Sequence, residues 1–146
     1  MKPEYEKIHS NQSSSFIIKK VIRNNRPFLT QAWHYHPEVE LCYTEKSSGK
    51  RYVGNNISVY QEGDLVLLGS NLPHGFTTST KTEQVVIQFD TAFLGAQFFS
   101  IHEMKQIKAM VQKSMRGIQF VGATKAKGIA LINELMESSG MQRLIT

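Results

Sequence analysis

The sequence predicts a mainly β fold, a sandwich or barrel of short strands followed by two or three α-helices. Three observations predict it. Short segments rich in valine, isoleucine, threonine and aromatics recur about every ten residues from Phe16 to Asp90. Turn-forming clusters separate them, with no helical pattern in between. After Phe89 the apolar spacing changes to steps of three and four, the period of a helix.

In chain order, residues 1–15 are polar, end in Ser13-Ser14-Ser15 and are expected to be a loose leader. The strand candidates are FIIKKVI (16–22), FLTQAWHYH (28–36), VELCYTE (39–45), KRYVG (50–54), ISVY (57–60), DLVLLG (64–69), HGFTTS (74–79) and EQVVIQFD (83–90). Asn24-Asn25, Ser47-Ser48-Gly49, Gly54-Asn55-Asn56, Glu62-Gly63-Asp64 and Asn71-Leu72-Pro73 supply turns. Residues 16–95 thus read as the β unit and 96–146 as a helical segment. Ser100 and Glu103 have the spacing of a capping box, and Ile101, Met104, Ile107, Met110 and Val111 follow as an apolar stripe. Gly117 is a natural stop. A second helix is expected over 124–138, with Ala126, Ile129, Ile132, Leu135 and Met136 on its apolar face and Gly140 at its end. The tail MQRLIT reads as a third helix cut off after one turn, so the chain is expected to be truncated.

Bulk properties narrow the function classes. At 146 residues, 40% hydrophobic and 20% charged, the chain suits one main core. No apolar run approaches membrane-spanning length, and MKPEYEKIHSNQSSS has no secretory core. A lone Cys42 excludes a disulfide framework. A cytoplasmic location is expected. The net charge of +5 is spread over both ends without interleaved aromatics and reads as a solvated surface, so charge alone does not make this a nucleic-acid-binding chain.

The chemistry concentrates in WHYHPEVE, residues 33–40. Residues two apart on a strand share a face, so His34 and His36 point together, with Trp33 and Tyr35 opposite. Pro37 permits a bend, and Glu40 joins the histidines if it keeps their parity. Two imidazoles and a carboxylate suit a first-row divalent metal. His74 must come from another strand to complete the set.

These residues resemble the two paired motifs of cupins, small double-stranded β-helix (jelly-roll) barrels whose motifs supply His-x-His, a glutamate and a further histidine. The matched positions are His34, His36, Glu40 and His74. Phe28, Gly69, Asn71 and Thr78 depart from the pattern. Across nearly the whole chain, HYHPEVEL, GDLVLLGSNLPH, EQVVIQFD and MRGIQFVGATKAKGIALINEL resemble the amino-terminal sensing domain of AraC-type transcription regulators. The resemblance implies a cupin barrel that binds an effector, helices that make a homodimer in the full-length protein, and DNA binding only through a carboxy-terminal helix-turn-helix domain missing here. No membrane partner is expected.

The expected function is effector sensing, with a small polar metabolite such as a sugar as ligand. His34, His36, Glu40 and His74 would bind it, with Tyr43, Tyr52, Phe76 and Gln88 as wall or rim residues. A one-residue slip in register would reverse each of those last choices. No catalytic residue is assigned and no enzymatic activity is expected. No cofactor is required, although His34, His36, Glu40 and His74 can hold Zn, Ni, Mn or Fe. The alternative is a metal-dependent cupin enzyme, dioxygenase- or isomerase-like, built on those four residues.

Overall fold

The computed structural model describes residues 2–9, 14–24, 29–30 and 33–146, with backbone alone at 29–30. The strands are β1 (Glu4–Tyr5), β2 (Ile17–Arg23), β3 (Leu29–Thr30), β4 (His34–Tyr35), β5 (Val39–Lys46), β6 (Gly49–Val53), β7 (Asn56–Tyr60), β8 (Leu65–Leu68), β9 (His74–Thr78), β10 (Thr82–Phe89) and β11 (Ile118–Gln119). The helices are α1 (Lys105–Lys113), α2 (Gly122–Glu137) and α3 (Gly140–Ile145). Each strand candidate contains a strand; the 28–36 candidate holds β3 and β4, while its residues 28, 31 and 32 lie outside the described residues, as do Ser13 and Asn25 of the leader and first turn.

Among the described residues the strands form two sheets. One runs β1-β4-β9-β6-β7, with β3 also on β9; the other runs β11-β8-β5-β10-β2. The sheets close on a core of Cys42, Val53, Tyr60, Val66, Leu68, Leu72, Phe76 and Val86. The pleat turns alternate residues of β8 and β10 the other way, so Leu65, Val85 and Ile87 pack against Ile132 and Leu135 of α2. Both faces of these strands are therefore covered, which is why LVLL and VVI read as unbroken apolar runs. Burying Ile132 and Leu135 stabilises the α2 seat by about 1.5–3 kcal/mol each.

Several local expectations are corrected. Glu4 and Tyr5 fall in the stretch read as a loose leader, yet they form β1, parallel to β4 with Glu4 opposite His34. The Ser100–Glu103 capping box does not form. Ile101 is extended (ψ 154°) and splits two short 3₁₀ turns, so α1 starts after Met104 with no side-chain cap. Gly140 does not end α2; the Ser138 hydroxyl donates to the Glu134 carbonyl at 2.8 Å at that end, and Gly140 (φ 55°) opens α3. GIQFVG, read within the helical segment, contributes β11 beside β8. Asp90 accepts the Ala92 backbone N–H at 2.6 Å and caps the turn after β10.

The barrel and the helical segment meet at Gly69. Its N–H donates to the Ser114 carbonyl at 2.8 Å, and a Cβ there would lie 2.6 Å from the Met115 nitrogen and 2.7 Å from the Ser114 carbonyl carbon. Those are backbone atoms and cannot turn aside. Gly69→Ala is expected to cost about 1–3 kcal/mol, read as a lower urea midpoint; an unchanged midpoint would mean this seam is loose.

No helix among the described residues is long and apolar enough to cross a membrane.

Candidate metal centre

Strand register brings the motif residues together. His34 on β4 lies opposite His74 on β9 in one sheet, and Glu40 on β5 lies opposite Gln88 on β10 in the other. His36, just after β4 and before the Pro37 bend, bridges them. All five are buried, at 1–5% exposure. One nitrogen from each of His34, His36 and His74 lies within 4.8 Å of the others, near the ~3–4 Å spacing of donors around a first-row ion. The parity argument therefore holds for His34, His36 and Glu40.

Hydrogen bonds fix what each group offers. His74 Nδ1 donates to the Leu72 carbonyl at 2.8 Å, which aims the Nε2 lone pair inward. That Nε2 is buried and has no hydrogen-bond partner; Glu40 Oε1 is 3.9 Å away. His36 Nδ1 faces the Glu38 carbonyl at 3.1 Å, and its Nε2 faces Glu40 Oε2 at 3.1 Å. Both oxygens can only accept when Glu40 is ionised. A neutral imidazole has one N–H for two acceptors, so the Nε2–Glu40 contact needs either a proton or a cation. Gln88 Nε2 donates to the same Glu40 oxygen at 2.8 Å and orients the carboxylate.

The electrostatics agree. Burial alone would raise the Glu40 carboxyl, but the His36 hydrogen bond, the positive charges of His74 and His36, and the Gln88 amide lower it to about 2. Burial works against His36 as well, yet hydrogen bonding and attraction to Glu40, with Glu38 and Glu6 behind, raise it above its ordinary value. His74 is lowered, chiefly by burial, with His34 and His36 adding to the shift against the pull of Glu40. A first-row cation suits this donor set: the inward Nε2 of His74, a ring nitrogen each of His34 and His36 close by, and an ionised carboxylate.

Acid is expected to dismantle the centre. A carboxyl at about 2 when folded and 4.5 ordinarily favours the fold above pH 4.5, and that stabilisation disappears as pH falls toward 2. The difference, 4.5 less 2, corresponds to about 3 kcal/mol. His36 and His74 shift in opposite directions and offset each other nearer neutrality. Glu83, held low by Lys81 and Lys46, titrates in the same acid window. Thermal melts between pH 4.5 and 2 should therefore slope less steeply for Glu40→Gln than for the parent. Parallel slopes would show that Glu40 does not carry its share.

The other expected wall residues divide. Gln88 joins the centre. Phe76 faces inward but packs edge-on against Tyr60 at 5.3 Å, as part of the apolar fill. Tyr43 lies on the outer face of its sheet, packed against the cluster under α2, and Tyr52 alternates with buried Arg51 and Val53 on β6. Those two choices are corrected: β5 and β6 point 40, 42, 44, 51 and 53 inward, so the odd and even neighbours turn away.

Two features escaped the sequence reading. Glu6 Oε2 reaches His34 Nε2 at 3.1 Å, carried there by β1. Arg51 pairs with Asp64 at 3.1 Å inside the barrel, and Gln119 of β11 donates to the other Asp64 oxygen at 3.2 Å. Inward parity on β6 was the available signal for Arg51; nothing local marks Glu6. Cys42 is buried beneath the centre, its thiol raised well above the ordinary value by burial and by Glu40, and so unreactive. His9 and His102 are exposed.

No family model matches the chain, and no curated protein does. Solved structures do. ToxT from Vibrio cholerae superposes with a TM-score of 0.56 at 11% identity, over 82% of this chain and 48% of that one. A cupin 2 conserved barrel domain protein from Salinispora arenicola gives 0.48 at 13%, over 71% and 79%. This chain has the cupin fold. A single-substitution variant of the oxalate decarboxylase of Bacillus subtilis, a protein with Mn(II) centres, gives 0.44 at 21%, over 68% of this chain and 29% of its own. The expectation of no enzymatic activity is thereby corrected: solved barrels of this fold include an enzyme, and the buried histidines leave catalysis open to this one. This chain spans about half the length of ToxT.

Proposed function

We infer that this cupin barrel is a metal-dependent ligand-binding module, and that with its helices it forms the sensing unit of an AraC-type regulator. The observation that carries the metal is the buried, unpartnered Nε2 of His74, aimed at His34, His36 and Glu40. His34, His36, His74 and Glu40 would hold a divalent first-row ion, Mn, Fe, Ni or Zn, and Gln88 would orient the carboxylate. Such an ion supplies Lewis acidity and positions for oxygen donors, so a small polar metabolite with a carboxylate or paired hydroxyls is the expected ligand class. The surrounding interior is filled by side chains such as Tyr60 and Phe76, which limits the ligand to a small one.

The regulator reading draws support from the similarity to ToxT, an AraC-family protein, because 82% of this chain exceeds the barrel and includes helical residues. A ligand there can act at a distance only if it binds one arrangement of barrel and helices better than another. DNA and a homodimer partner would then be engaged by the full-length regulator. A second reading, a cupin enzyme, is favoured by the same histidines, since a metal with open positions also activates bound substrate.

The test compares thermal melts of metal-loaded and chelated protein with a panel of small carboxylates and sugars. One class should raise the midpoint of the loaded form alone. Equal shifts with and without metal would sink the metal-dependent reading. Turnover of the stabilising compound, followed by chromatography, would favour the enzyme over the sensor.

A further inference from the structure

The outer face of the β5–β8–β10 sheet bears an apolar pocket, about half open to solvent and distinct from the metal centre. It has a volume of about 340 Å³ and lies between the barrel wall and the helical segment. Leu41, Leu67, Ile87 and Phe89 form one side, and Ile107 and Met110 of α1 face them. Among the lining residues, Thr124 is the single polar side chain. α1 carries an apolar stripe yet has no buried residue. Its stripe is turned toward the sheet but stands off from it, with the cavity between.

Physical chemistry narrows the occupant. Water has no set of polar partners there, so hydration is unfavourable. An empty space lined by leucine, isoleucine and phenylalanine forfeits dispersion contacts on both walls. The space is too small for a helix, which is roughly 10 Å across with its side chains. An apolar cavity of about 150 Å³ takes one benzene, so this volume corresponds to roughly a dozen carbon atoms. With no charged residue in the lining, the ligand carries no buried charge, and Thr124 suits one hydroxyl or carbonyl end.

We propose that this cavity is a binding site for a small, neutral, largely hydrocarbon molecule of the medium-chain alcohol or ketone class. The same strands serve both sites from opposite faces. Glu40 points inward beside Leu41, and Gln88 points inward between Ile87 and Phe89. The apolar site does not rest on the metal reading.

The experiment uses the full chain and the small neutral fluorophore 1-naphthylamine, whose eleven heavy atoms match the volume, with 1-dodecanol as competitor. Saturable fluorescence enhancement, reversed by dodecanol, is expected. Met110→Trp and Ile107→Phe fill the space from α1, and each should weaken probe binding at least tenfold without lowering the melting midpoint. Two variants guard against one of them failing to fold. His74→Ala should bind the probe as the parent does, which separates this site from the metal centre. Absence of saturable binding would overturn the proposal. So would unchanged binding in both filled variants, or loss of binding as protein concentration rises, since a second copy of the chain would then be the occupant.

Discussion

His74→Ala is expected to lose a first-row metal while keeping the barrel folded. His74 is the donor whose inward nitrogen has no other partner, so its removal costs the metal a ligand and, on the other side of the ring, only the hydrogen bond to the Leu72 carbonyl. Structural metal sites of four ligands bind with about 10–16 kcal/mol, or roughly 3 kcal/mol per ligand, so affinity should fall about a hundredfold or more. Chelator competition on parent and variant reads the difference directly. His36→Ala should be worse for folding, because it leaves the Glu40 carboxylate buried without the contact that holds it ionised. If His74→Ala retains the parent's affinity, the ion is held elsewhere.

Asp64→Ala is the substitution with the largest expected effect on stability. It would leave the Arg51 guanidinium 3% exposed and unpaired inside the barrel, and would release Gln119 from β11. Breaking one side of a buried ion pair costs about 3–5 kcal/mol. At roughly 2–4 °C per kcal/mol for a chain of this size, the melting midpoint should drop by about 10 °C. Replacing both partners, as in Arg51→Met with Asp64→Leu, removes the stranded charge and should recover most of the loss. A single mutant as stable as the parent would show that solvent reaches Arg51.

Much of this molecule is written in local patterns. Turn clusters and β-branched segments located the strands, and the two-residue period put His34, His36 and Glu40 on one side. The period alone did not fix which neighbours share that side once the chain bends. Tyr43 was misplaced against the period itself, since it lies three residues from inward Glu40 on β5, whereas Tyr52 was misplaced because inward parity on β6 depends on register with β9, a tertiary property. The capping pattern at Ser100 failed for a similar reason, since extended Ile101 interrupts the turn that the spacing requires. β1 and β11 are two-residue strands whose pairing comes entirely from distant partners. Neither could announce itself by periodicity, and with β1 went the contact of Glu6 with His34.

The enzyme question turns on the same register. A His-x-His pair on one strand is common chemistry, whereas His74 brought opposite His34 and Glu40 brought opposite Gln88 make a buried centre. Such a centre serves sensing or catalysis, depending on what the open positions receive.

Cobalt(II) titration, followed in the visible region, tests the metal centre most directly. The folded chain should bind a single ion with ligand-field bands of mixed nitrogen and oxygen donors, and His74→Ala should weaken or lose them. A folded parent that shows no such bands at saturating cobalt, or bands unchanged by His74→Ala, would contradict the centre described here.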